Sequence, residues 1–196
     1  YETSSKASNI LEVGTYMGHS ILIMLLANPS ACITCIDIND KYSAPAINYL
    51  KKKFPHSKIN FIKGDSLNVL PSLTERFDFF HIDGAHLNHI IAKEFIHCTK
   101  LSKYKNFRMI LDDIDSCLKV KKNIELSFSN SIFEIPASNW KNCYIKIDFS
   151  SSANEHNTKI SKFNKLSNID YLKVLPSIFF KKIRRFPKKI IKSLIN

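Results

Sequence analysis

Short apolar runs along this chain alternate with longer stretches in which apolar residues recur every three or four positions. Asn9–Val13, Cys32–Ile38 (ending at Asp37), Lys58–Lys63, Phe77–Asp83 and Phe107–Leu111 have strand length and strand composition. Between them, the turn Gly14–Gly18 opens a helix through about Ala27. A second helix is predicted over Ser43–Phe54, with Pro45 tolerated in its first turn. The stretch His86–Leu101 places Leu87, Ile90, Ile91, Phe95, Cys98 and Leu101 on one helical face. A helix over Ser116–Ser127 leads to two further strands, Ile132–Ile135 and Cys143–Phe149. Alternation of this kind predicts an α/β fold: a doubly wound, mostly parallel, seven-stranded sheet with helices on both faces. Ser150–Asn168 is polar and reads as a loop, which divides the chain into a domain over 1–150 and a basic extension over 151–196.

Glycine use sharpens this picture. The chain has four glycines, where average usage would give about fourteen. Gly14, Gly18, Gly64 and Gly84 all lie in loops just after strand-like runs. A chain that spends its few glycines there needs sharp turns or close backbone approach at those points. They mark a ligand crevice at the carboxyl ends of parallel strands.

The net charge of +12 is unevenly spread. Residues 1–150 hold 18 Lys and Arg against 15 Asp and Glu, whereas residues 151–196 hold 11 against 2. The body is near neutral, which argues against a nucleic-acid-binding face, and it carries no interleaved aromatic–basic patch. Lys173–Asn196 has eight basic residues and no acidic one, with Phe179, Ile183, Phe186, Ile190 and Leu194 at helical spacing around Pro187. Such a strip can pack on the body, cover a partner subunit in a homo-oligomer, or lie on an anionic membrane surface; packing is the favoured reading. No apolar run reaches the roughly 18 residues of a membrane span. Five scattered cysteines suit free thiols in a reducing, cytoplasmic setting. Cys32 and Cys35 lie three apart within one strand and so face opposite ways, which removes them as a metal or redox pair.

The candidate chemistry sits at strand ends. Glu12 to Ser20 reads E-V-G-T-Y-M-G-H-S, a strand–turn–helix unit whose backbone N–H groups can face a ligand. Asp37 ends the second strand, where a carboxylate can accept both hydroxyls of a ribose or cap the next helix. Asp65 and Ser66 follow the third strand on the same edge, placed for a nucleobase amino group or for helix capping. The fourth and fifth strands end in F-H-I-D-G-A-H and L-D-D-I-D. Asp83, Asp112 and Asp113 offer three hard carboxylates on neighbouring strand ends, a donor set that favours Mg²⁺ or a similar cation over capping alone. His86 can titrate near neutral pH and would suit a general base, with His89 a second candidate. His19, His81 and His97 read as structural.

On these residues, the chain from about Asn9 to Phe149 resembles the class I S-adenosylmethionine-dependent methyltransferases. Within them it is similar to the metal-dependent small-molecule O-methyltransferases of the catechol and macrolide-sugar types, whose glycine turn has the same wide spacing. The resemblance implies a Rossmann-like methyltransferase fold and a cofactor site in which Glu12, Gly14, Thr15, Tyr16, Gly18 and Ser20 surround the methionine part. It implies Asp37 at the ribose, Asp65 and Ser66 at the adenine, and Asp83 beside the cofactor. It also implies metal ligation by Asp83, Asp112 and Asp113, with His86 as base. The catechol type carries an amide at the position of Asp113 and a lysine at that of His86, so this chain is closer to the sugar type. The expected reaction is methyl transfer to a small-molecule or sugar hydroxyl. A nucleic-acid methyltransferase using the basic tail and a catalytically degenerate cofactor-binding domain are the alternatives. The chain opens at Tyr1, and eight residues precede the first strand. The resembling enzymes carry cofactor-covering helices there, so the expectation is a fragment, or a shortened protein whose tail or partner takes that role.

Overall fold

The computed structural model of the chain describes residues 1–102, 106–128, 131–134, 143–148 and 153–183. Among these residues, seven strands form one sheet: β1 (Asn9–Val13), β2 (Cys32–Asp37), β3 (Lys58–Lys63), β4 (Phe79–Ile82), β5 (Asn106–Leu111), β6 (Ser131–Glu134) and β7 (Cys143–Asp148). Their order is β3-β2-β1-β4-β5-β7-β6. The first five run parallel, and β7 is antiparallel to both its neighbours. The doubly wound, mostly parallel sheet expected from the sequence is therefore present. The central strands are apolar on both faces because helices cover both. In β1, Ile10, Leu11, Glu12 and Val13 are all buried.

Among the described residues, seven α-helices flank the sheet: α1 (Glu2–Ser5), α2 (His19–Ala27), α3 (Asp40–Lys53), α4 (Ser66–Val69), α5 (Asn88–Lys100), α6 (Ile114–Ser127) and α7 (Ala153–Ile183). On one face, Ile21, Met24 and Leu25 of α2 and Ile47 and Leu50 of α3 pack with Ile10, Ile33 and Phe79. On the other, Phe95 of α5, Val120 and Ile124 of α6 and Phe163 of α7 pack with Leu11, Phe80 and Met109.

Three sequence expectations are corrected. The helix expected at Ser43 begins at Asp40, because the Asn39 side chain accepts from the Lys41 N–H at 2.9 Å and caps it there. Pro45 consequently lies in the second turn and not the first. The helix expected from His86 begins at Asn88, which leaves His86 in the loop after β4. The largest change concerns 150–168, read as loop. From Ala153 onward it is helix α7. Its polar composition hides a narrow stripe: Ile160 and Phe163, one turn apart, join the core under α5 and α6. Phe163 is fully buried, its ring 4.7 Å from that of Phe95. Asn123 of α6 donates to Asp170 at 3.1 Å further along the same face. A short apolar stripe amid lysines looks like loop in sequence and helix in three dimensions, since only a partner surface makes the stripe count. Among the described residues, no helix is long and apolar enough to cross a membrane. The side chains of Phe179 and Ile183 and the whole of 184–196 lie outside the described residues.

Candidate active site

The parallel ladder continues one residue past the strands. Gly14 N donates to Ile36 O, Gly64 N to Asp37 O, Asp83 N to Val13 O and Asp112 N to Ile82 O, all at 2.8–3.0 Å. These bonds fix the chain ends of β3, β2, β1, β4 and β5 in a row along one sheet edge. Gly14, Asp37, Asp65, Ser66, Asp83, Asp112 and Asp113 hang from that row or from the turns just after it. The turn after β1 is sharp: Gly14 has φ +86, and a Cβ there would come within 2.0 Å of the Asp83 carbonyl oxygen. Tyr16 also takes a positive φ of 43.

Two clefts open on this edge. The first, about 400 Å³, is lined by Gly14, Tyr16, Asp37, Gly64, Asp65, Ser66, Asp83, Gly84 and Glu94, with Ile36, Ile38 and Ile90 as apolar walls. The second, about 420 Å³, is lined by Thr15, Tyr16, His19, Ser20, His81, Asp83 and Asp112, with Ile23, Met24, Phe79 and Ile110. Tyr16 and Asp83 belong to both. Gly18 belongs to neither. It caps α2 at φ +71, and a Cβ there would meet Leu50 and Ala46 of α3.

Several candidates already hold the scaffold. Asp37 Oδ2 accepts from the Thr15 and Tyr16 N–H groups at 3.0 and 2.7 Å, and Oδ1 from Asn39 N at 2.9 Å. The carboxylate thus pins the glycine turn to the end of β2. Asp65 caps α4 through Leu67 N at 2.9 Å. Glu12 is fully buried and accepts from the Ser20 hydroxyl. It also faces His81, its direct register partner on β4, with Nδ1 at 3.1 Å. Burial opposes charge on His81, but the Glu12 carboxylate, together with those of Asp83 and Asp112, outweighs it, and the pKa is raised.

The acidic cluster assembles in part. Burial first, and the neighbouring Asp112 carboxylate second, push the Asp83 pKa up to about 7. Asp113, at φ 50, instead sends Oδ2 to within 3.4 Å of His86 Nε2, and Asp83 Oδ1 lies 4.0 Å from the same nitrogen. Among the described residues, no group of three or more His, Cys, Asp and Glu side chains is gathered closely enough to hold a metal ion. Asp83 and Asp112 are brought together, and Asp113 is tied to His86. His89 leaves the site altogether: its ring lies 5.0 Å from that of Tyr171 on α7.

Among the residues of these clefts that were missed in the sequence are His19, read as structural yet lining the second cleft, His81 and Glu94. His81 reads as a structural strand residue yet lines the second cleft. Glu94 lines the first; it is 1% exposed, and the Ser66 hydroxyl donates to its Oε1 at 2.6 Å. The signal was available: Glu94 falls one turn after Ile90 and Ile91, an acid on the apolar stripe of α5.

Comparison with known proteins fits this arrangement. A protein of Arabidopsis thaliana named as a caffeoyl-CoA O-methyltransferase is 37% identical over 81 residues, covering 39% of this chain and 35% of that protein. The chain spans between about a third and a half of the length of the curated relatives it matches. The O-methyltransferase TomG of Streptomyces achromogenes, solved with S-adenosylmethionine, shares the fold at TM-score 0.56 and 18% identity, over 74% of this chain and 75% of that one. A Podospora anserina methyltransferase solved with S-adenosylhomocysteine does so at TM-score 0.60 and 16% identity, over 74% and 73%. The family model described as O-methyltransferase matches residues 3–123, more than half of the chain and every strand-end residue of the two clefts, and the chain belongs to that family.

Proposed function

We propose that this chain transfers a methyl group from S-adenosylmethionine to a hydroxyl of a small molecule, with a divalent cation assisting. The observation that carries the reading is the shared wall of the two clefts. Asp83 and Tyr16 line both, so a donor in one cleft and an acceptor in the other would meet beside Asp83 and Asp112, with His86 Nε2 4.0 Å from Asp83 Oδ1. The donor residues are Gly14, Tyr16, Asp37, Asp65, Ser66 and Asp83 in the first cleft. Thr15 and Ser20 reach into the second, and Glu12 supports Ser20 from below. Ile23, Met24, Phe79 and Ile110 favour an acceptor with an apolar body over a bare sugar.

The cleft residues suit the cofactor, and the acids at the ends of β4 and β5 supply part of a cation site. The buried Oε2 atoms of Glu12 and Glu94 have no hydrogen-bond partner in the protein, as expected of a site that completes itself with a polar ligand. Asp83 and Asp112 bring two carboxylates together, oxygen donors of the kind Mg²⁺ takes, while Asp113 is turned to His86 and would have to swing round to join them. When bound, the cofactor supplies the methyl group and the cation lowers the cost of ionising the acceptor hydroxyl. The protein's own part is positional. The clefts hold the reactants at contact distance, and His86, steadied by Asp113, removes the hydroxyl proton.

Calorimetric titration of S-adenosylmethionine, with and without Mg²⁺, on the wild type and Asp83→Ala tests this. The expected result is cofactor binding that survives Asp83→Ala, together with a Mg²⁺ site that does not. Cofactor binding without any Mg²⁺ site would remove the metal from the reading. A folded protein that binds no cofactor would overturn it.

A further inference from the structure

Strand β4 divides its side chains between two faces. Phe80 and Ile82 enter the core on one face, while Phe79, His81 and Asp83, the last just past the strand, line the second cleft on the other. Ile23, Met24 and Ile110 add apolar wall to that cleft. A histidine midway along such a face is out of character. In the sheet it is flanked by Glu12 on β1 and by Ile110 on β5. Glu12 is fully buried, and its Oε1 lies 3.1 Å from His81 Nδ1. An ionised carboxylate only accepts, so Nδ1 carries the proton and the ring is held in one orientation. Among the described residues, Nε2 makes no hydrogen bond, and the side chain keeps 11% of its surface open where it lines the cleft. A buried polar pair of this kind adds little to stability over apolar residues of the same shape. What it adds here is a fixed, unpartnered nitrogen between Phe79 and Ile110.

The place of that nitrogen sets a spacing. His81 and Asp83 are two residues apart on one face, so about 6–7 Å of backbone separates them. Resting on the acceptor reading above, we propose that His81 is a specificity-determining residue whose Nε2 hydrogen-bonds a second hydroxyl of the acceptor, carried well away from the hydroxyl that lies beside Asp83. A hydroxyl suits this nitrogen in either protonation state, because it donates to a lone pair and accepts from an N–H. The separation favours a second hydroxyl across a ring over one on the adjacent carbon, whose oxygen stays next to the first. The acceptor class is then a flat body with polar groups at two ends and its apolar middle against Phe79 and Ile110.

Phenol and the 1,2-, 1,3- and 1,4-benzenediols serve as probes, titrated by NMR into the whole chain with saturating S-adenosylhomocysteine and a metal chelator. The better of the 1,3- and 1,4-diols should bind the wild type about tenfold tighter than phenol. His81→Asn leaves an amide at the level of Nδ1 for Glu12 but reaches no further. It should bring that ratio to within about twofold and leave the ratio of 1,2-diol to phenol unchanged. His81→Gln, whose amide reaches the level of Nε2, should restore a preference of about fivefold. A role confined to packing, or to balancing the charges of Asp83 and Asp112, would shift all the probes alike, and that outcome overturns the assignment. So does a wild type that binds the 1,3- and 1,4-diols no better than phenol. If His81→Asn does not fold, the wild type still decides: the ¹⁵N resonance of His81 Nε2 should move with the preferred diol and not with phenol, and a resonance that ignores both overturns the assignment. A chain that binds S-adenosylhomocysteine but none of the probes overturns this inference alone. A folded chain that binds no S-adenosylhomocysteine overturns the cofactor reading on which it rests.

Discussion

His86 Nε2 lies 3.4 Å from Asp113 Oδ2 and 4.0 Å from Asp83 Oδ1. The imidazole is therefore held between the two strand ends that supply the carboxylates, on a loop with 40% of its side chain open to solvent. A base needs this combination of orientation and access. His86→Ala is expected to lower kcat by about 10²–10⁴-fold while leaving the Kd for S-adenosylhomocysteine within about twofold, since no donor-cleft wall changes. Single-turnover methyl transfer alongside calorimetry separates the two. Equal losses in rate and cofactor affinity would mean that His86 shapes the site and does no proton transfer.

Asp83 gives a pH-dependent stability. Its pKa is raised from 3.8 to about 7, first by burial and then by Asp112. A group with a raised folded pKa contributes stability fully below its unfolded pKa and loses that contribution as pH rises through the folded value. The window therefore runs from about pH 4 to pH 7. In chelator, Asp83→Asn should melt above the wild type at pH 8, and the gap should close towards pH 4. Mg²⁺ at pH 8 should raise the wild-type Tm and not that of Asp83→Asn. A pH-independent gap would mean that burial and Asp112 do not hold the Asp83 carboxyl above its ordinary range.

The cysteines divide by burial. Cys35, Cys98 and Cys117 are fully buried, and Cys32 is half-buried at the start of β2. Burial, aided by the Glu12 charge, pushes the Cys35 thiol up to about 12, and burial raises Cys98 well above the ordinary value. Thiolate is the reactive form. Iodoacetamide at pH 8 should label Cys32 and spare Cys35, Cys98 and Cys117 until denaturant is added, as read by peptide mass spectrometry. Labelling of Cys35 in native protein would contradict the packing of β2 against β1 and β3.

Phe163 ties α7 to the body. Its ring sits 4.7 Å from Phe95 and 6.5 Å from Phe128, fully buried. Phe163→Ala should cost about 3–5 kcal/mol in urea unfolding. Ile169→Ala, on the 40% exposed side of the same helix, should change stability by less than about 0.5 kcal/mol. Equal, small effects would mean that α7 is an appendage and not part of the core.

What the sequence determined by itself is local. Short runs of four to six residues rich in apolar and β-branched side chains specify β1 to β5; the central strands, buried on both faces, need no alternation, whereas the edge strand β3, K-I-N-F-I-K, mixes buried and exposed positions. The same economy located the edge of the sheet: four glycines and the acids beside them lie where parallel strands end, and the ladder bonds past Val13, Asp37 and Ile82 align them there. The resemblance to S-adenosylmethionine-dependent O-methyltransferases drawn from E-V-G-T-Y-M-G-H-S and the strand-end aspartates agrees with the O-methyltransferase family matched over residues 3–123.

What only the tertiary structure decided is direction and partnership. Asp112 and Asp113 are neighbours in sequence, yet one turns to Asp83 and the other, through a left-handed backbone, to His86. His86 and His89 both look like bases until the start of α5 places one in the loop and the other against Tyr171. Glu94 looks like an ordinary helix acid until α5 is docked and its carboxylate faces Ser66, 28 residues away. α7 looks like loop until Ile160 and Phe163 find the face of α5 and α6. In each case the chain's own spacing allows several orientations of comparable local energy. The choice among them is made by contacts between residues distant in sequence, where burial and unpaired polar atoms carry the larger cost.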